Sequence, residues 1–185
     1  MYRFSFLIVW IVIGCTWHSI PEPGPVPLQR DPWNVDLNDD GINDATLYYS
    51  SGVWDGIGSS GSTLGAMVST TGFNTTLYKR DAQLFPHTLF HVTKDTIRRN
   101  APLPQEWNNM GAHLVEIWQE AGGKWPKTWT INSEHQSGPY YVALRVRKGN
   151  DYLIGWIKVD IDVTSGEVTM IDKAFTSNEF IVIDR

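Results

Sequence analysis

A chain of 185 residues with 42% hydrophobic and 19% charged residues has the make-up of one globular domain, which excludes a disordered or fibrous protein. At this size a fold buries roughly 70% of the unfolded surface, and a single cysteine excludes an intrachain disulfide. A formal charge of -5 argues against nucleic acid or anionic lipid as a partner. Nine tryptophans are first of all core material, and where exposed they are stacking surfaces for sugars or other flat ligands.

Residues 1–14, MYRFSFLIVWIVIG, place Arg3 ahead of an apolar run from Phe6 to Ile13. This is the layout of an export signal. The run is too short to span a bilayer, which takes about 20 apolar residues. Val12-Ile13-Gly14-Cys15 resembles the lipobox of bacterial lipoproteins, with an aliphatic residue three before the cut, a small residue just before it and cysteine just after. The resemblance implies diacylglycerol on the Cys15 sulfur, cleavage before Cys15 and acylation of the new amino group. Each buried methylene then adds about 0.8 kcal/mol of membrane affinity, so two or three acyl chains anchor stably. Thr16, where an aspartate would imply inner-membrane retention, leans towards the outer membrane of a bacterial cell envelope. Residues 15–32 continue with prolines at 21, 23, 25, 27 and 32. Such a segment prefers an extended form of about 3.1 Å per residue and is read as a tether.

Residues 33–185 form the expected domain. It opens with Asp36-Leu37-Asn38-Asp39-Asp40-Gly41-Ile42-Asn43-Asp44, or D-x-N-x-D-G-x-x-D. Calcium takes six to eight oxygens, and alternate residues of a tight loop can turn short carboxylate or amide oxygens inward. Asp36, Asn38, Asp40 and Asp44 are the expected side-chain ligands and Ile42 supplies its carbonyl, while Gly41 permits the turn. Position twelve is Leu47, so the glutamate of a helix-loop-helix hand is missing, and Ala45–Tyr49 reads as a strand. The loop resembles the short calcium repeats of extracellular bacterial modules, which implies weak affinity, on the order of 10⁻⁴ to 10⁻³ M.

Residues 51–62 read as a glycine and serine loop. Their G-x-G-x-x-G spacing lacks the strand and helix that dinucleotide binding requires. LGAMVST, TLFHVT and TWTINS follow as short strands. Glu106–Ala121 offers the one helix, with Trp107, Met110, Leu114 and Ile117 at helical spacing, although HLVEIWQ within it also alternates as a strand. Tyr140–Val146 alternates apolar residues, turns at 148–151 into Tyr152–Val163, and turns again at 164–167 into VTMIDKAF, with FIVI closing the chain. The fold class is therefore all-β, an antiparallel sandwich or jelly roll. Taken together, the acidic loop, YVALR, GWIKV at 155–159 and DKAF at 172–175 resemble secreted lipoproteins of Bacteroidetes type. That resemblance implies fold and location and carries no activity.

Three kinds of chemistry are open on the residue types. Trp125, Trp129, Tyr140 and Tyr141 would make a ligand platform if they lay in an exposed row. Glu116 and Glu120, or Glu134, are candidates for the carboxylate pair of a glycosidase. His87 and His91, with His113 or His135, are candidates for zinc. The reading is a calcium-stabilised binding or structural module, held to a membrane by its lipid and meeting an extracellular glycan or protein. A carbohydrate-active enzyme on the same architecture is the alternative.

Overall fold

The computed structural model describes residues 31–56, 59–79, 87–88, 90–91, 95–109, 111–133 and 138–183. The expected signal peptide, Cys15 and most of the tether lie outside the described residues. The strands are β1 (Trp33–Val35), β2 (Ala45–Gly56), β3 (Ser59–Thr70), β4 (Thr75–Lys79), β5 (His87–Thr88), β6 (Phe90–His91) and β7 (Thr96–Arg98). They continue with β8 (Gln105–Asn108), β9 (Ala112–Glu120), β10 (Thr130–Ile131), β11 (Tyr140–Lys148), β12 (Asp151–Asp162), β13 (Glu167–Thr176) and β14 (Phe180–Val182). No helix occurs among the described residues, and the fold is all-β.

Two antiparallel sheets pack in a sandwich. One runs β1-β2-β3-β9-β10; the other runs β13-β12-β11-β4-β5, with β6 also on β11 and β8 also on β4. The alternation read in the late segments sets their register: Leu144 sits opposite Gly155 and Val142 opposite Ile157, so one side of β11 and β12 faces the first sheet. Val142, Leu144, Val146, Ile157 and Val159 meet Leu47, Ala66, Val68, Leu114 and Ile117 there. The other side of the same sheet is covered as well. A two-stranded ribbon of β7 and β14 closes a second, smaller core around Leu77, Ile97, Tyr141, Ala143, Trp156 and Ile183.

Two segments differ from the helix and loop readings. At 106–121 the strand alternative holds for HLVEIWQ: the segment is β8 and β9, separated by a turn in which Gly111 has φ 81°. The Tyr78 hydroxyl donates to the Gly111 carbonyl at 2.6 Å, which pins that turn. The helical spacing of its apolar residues arises from a bulge: β3 and β9 slip register between Ala66 and Met67, so Leu114 and Val115 are both buried. The glycine and serine loop at 51–62 is also strand, with β2 and β3 paired from Ala45–Thr70 out to Gly56–Ser59. Backbone pairing along this arm asks little of the side chains, and Val53 on it is 85% exposed.

One glycine closes the end of the sandwich at the β12–β13 turn. Gly166 has φ 73°, and a Cβ there would overlap the Trp129 ring, which lies flat against it in the core. Tyr49 of the opposite sheet accepts the Val168 N–H at 2.9 Å beside it. Gly166→Ala combines overpacking with a left-handed backbone. It is expected to cost about 1–3 kcal/mol in urea unfolding, and a loss below experimental error would mean that Trp129 can move aside freely.

Candidate functional site

The acidic loop joins β1 to β2 and is closed by its own backbone. The Asp36 carboxylate accepts N–H bonds from Asp40 at 3.2 Å and Gly41 at 2.7 Å, Asn38 Oδ1 accepts from Asp40 at 3.0 Å, and Asp40 Oδ1 accepts from Ile42 at 2.9 Å. Asp39 at φ 59° and Gly41 at φ 83° supply the left-handed turns this requires. Leu37 points the other way. It is fully buried and rests on Gly155, where a Cβ would crowd both Leu37 and the Ala174 carbonyl of the neighbouring strand.

Asp44 ends the loop inside the protein. Its Oδ2 accepts the Leu37 N–H at 2.9 Å and its Oδ1 accepts from the Asn74 side-chain amide at 3.2 Å. Asn74, on the β3–β4 turn, in turn accepts the Arg147 N–H at 2.8 Å. A carboxylate of one sheet is thereby linked through one amide to β11 of the other. Burial pushes the Asp44 carboxyl above the usual range, with the charges of Asp40 and Asp36 adding to it against the Leu37 N–H and the Asn74 amide. Stability held by protonated Asp44 is thus complete below the ordinary carboxylate range and is lost as pH rises through its elevated value. Asp36 shifts the opposite way. Desolvation pushes it up, but N–H bonds from Gly41, Asp40 and Asp39 outweigh that, helped by the Lys173 charge. The Lys173 ammonium donates to the Asp36 carbonyl and pairs with the Asp39 carboxylate at 2.6 Å.

The expected calcium ligands Asp36, Asn38, Asp40, Ile42 and Asp44 therefore share one short loop. Ile42 is exposed, whereas Asp44 is a buried brace. Among the described residues no group of three or more His, Cys, Asp or Glu side chains stands in position to hold a metal. An ion would have to draw the oxygens of Asp36, Asn38 and Asp40 together. Each of those named oxygens has spent one lone pair on an N–H and keeps another. His135 and Glu134 lie outside the described residues, as do the side chains of His87 and His91.

The expected aromatic platform is corrected. Trp129 is 4% exposed, packed on Gly166 in the main core, and Tyr140 and Tyr141 are no more than 2% exposed because the two faces of β11 are both covered. Tyr140 enters the main core, Tyr141 meets Trp156 edge-on at 5.2 Å in the smaller one, and Trp125 packs half-buried against the main core. Glu116 and Glu120 stand on the same face of β9, four residues apart. At about 3.3 Å per residue their backbones are about 13 Å apart along the strand.

A different aromatic cluster, missed in the sequence, is assembled by pairing. Arg145 lies beside Thr75 across β11 and β4, and its guanidinium sits 5.3 Å from the Trp107 ring and 4.7 Å from the Tyr152 ring. Phe73 stands at the rim, 71% exposed, with Arg147 4.6 Å over its ring. Compared with family models, curated proteins and solved structures, the chain matches none.

The Asp44–Asn74 link generates a coupling prediction. Asp44→Ala and Asn74→Ala should each cost about 1–3 kcal/mol in urea unfolding, since each strands a buried donor or acceptor. The double variant should cost clearly less than their sum; strict additivity would mean that the two side chains do not act as a unit.

Proposed function

We propose that the chain is a lipid-anchored module of the bacterial cell envelope, a β-sandwich steadied by calcium at residues 36–44 that binds an extracellular glycan or protein. The observation that carries the calcium reading is the set of inward N–H bonds to Asp36, Asn38 and Asp40. They hold the loop in the turn that a D-x-N-x-D-G-x-x-D calcium loop needs while leaving lone pairs for a cation. The upward push on Asp44 from Asp36 and Asp40 is a second support, because it marks negative potential concentrated at one place. The Lys173 ammonium offsets only part of that charge. The calcium role is structural: the loop's buried residues, Leu37 and Asp44, brace the two sheets, so an ion that orders the loop stabilises the sandwich. The anchor rests on the lipobox-like Val12–Cys15 and the proline tether after it, and the outer membrane is favoured by Thr16.

Two measurements test the parts separately. For the loop, thermal melts of the full chain in mild detergent are compared with millimolar calcium, with chelator, and for Asp36→Ala plus Asp40→Ala. Calcium at a hundredfold excess over its dissociation constant should add about 2.7 kcal/mol, and the gain should vanish in the double variant. Identical melts with and without calcium would remove the ion from the reading. For the anchor, intact mass of the membrane-extracted protein should show loss of residues 1–14 and addition of acyl chains. Cys15→Ala should keep the precursor mass; a processed Cys15→Ala protein would contradict lipidation at this residue.

A further inference from the structure

The cluster around Arg145 forms an open cleft of about 280 Å³, walled by Phe73, Thr75, Trp107, Asn109, Arg145 and Tyr152. Its walls are held firmly. Trp107 donates its indole N–H to the Arg98 carbonyl at 3.2 Å, which ties it to the β7 strand of the outer ribbon. Tyr152 follows Asp151, which is paired with Arg99 at 2.9 Å. Arg145 presents its charge to this cleft. Its guanidinium forms no hydrogen bond or ion pair with any described residue, and its Nε is buried without a partner, as is the Thr75 hydroxyl beside it. A guanidinium has five N–H donors. Two aromatic faces can stabilise its charge, but they do not accept those donors in their plane.

We infer that this cleft binds the carboxylate of an acidic sugar, with Arg145 holding the carboxylate and Phe73 the ring. A carboxylate matches the planar fork of arginine with two parallel bonds. Asn109 offers an amide for sugar oxygens, and the exposed Phe73 face offers a surface for the C–H side of a pyranose. The volume fits one monosaccharide rather than a drug-sized ligand. Arg147, stacked on Phe73, adds a second positive charge to the rim of a chain that is acidic overall. This inference rests on the binding-module reading and names its ligand class, and it is independent of calcium.

The test is titration of the full chain in mild detergent with glucuronate, glucose, acetate and inorganic phosphate, read by calorimetry and by Trp fluorescence. Glucuronate should bind at least about tenfold more tightly than each of the other three. Arg145→Met should erase that preference. Phe73→Ala, at an exposed position that leaves the core intact, should weaken glucuronate and leave acetate unchanged, which keeps the test decisive if Arg145→Met fails to fold. Equal binding of acetate or phosphate would reduce the cleft to a plain anion site and overturn the inference, as would equal binding of glucose or no saturable binding of glucuronate. Repeating the titration with chelator separates the two readings: sugar binding that survives chelation stands even if calcium has no effect, and a chain that responds to calcium alone loses this site only.

Discussion

The carboxylate of Asp44 joins the acidic loop to the β3–β4 turn and, through it, to β11. It lies inside the protein, takes the N–H of Leu37 on one side and the amide of Asn74 on the other, and through Asn74 reaches the backbone of β11. A buried ionisable group is tolerated only where its hydrogen bonds are met. The acidic loop, the β3–β4 turn and the start of the β11–β12 hairpin must therefore all be in place together. Leu37 reinforces the arrangement from the apolar side, seated on the one residue of β12 that has no side chain to displace it. The loop is in this sense part of the core, although most of its oxygens face water.

The short turn at 71–74 links the two places where chemistry gathers. Gly72 and Phe73 line both the open cleft of about 660 Å³ beside Asp40 and Asp44 and the smaller one at Arg145. Asn74 braces the first, Thr75 opens into the second, and Arg147 serves both by giving its N–H to Asn74 and its guanidinium to Phe73. Asp40, Asp44 and Arg147 line the larger cleft, and Arg145 the smaller one. Ordering the loop and shaping the smaller cleft draw on the same few residues.

The late hairpins were readable because their alternation and their turn residues agree: Leu144 opposite Gly155 is the register that the apolar pattern calls for. The acidic loop was readable because oxygen ligands need fixed spacing. Glu106–Ala121 was misread because the bulge at Leu114 shifts the alternation by one and imitates helical spacing. Tyr140 and Tyr141 were misassigned for a longer-range reason. Neighbouring strand residues face opposite ways, so one of the pair should have been exposed, but the ribbon of β7 and β14 covers the second face. Each of those strands is three residues long, and they pair across most of the chain's second half. The FIVI run announces β14, but nothing local announces its partner β7, and the approach of Arg145 to Trp107 likewise depends on distant pairings, of β4 with β11 and with β8.

Strand β13 ends its sheet, and an open sheet edge invites the strand of another molecule. Its outward residues include the exposed Ile171 and Phe175, which would favour such an addition. Between them stand Asp172 and Lys173, and Lys173 reaches the Asp36 carbonyl and the Asp39 carboxylate. That clasp draws the acidic loop against the edge strand. The loop's outer contact with that strand, Lys173 to Asp39, is exposed enough to be loosened by salt.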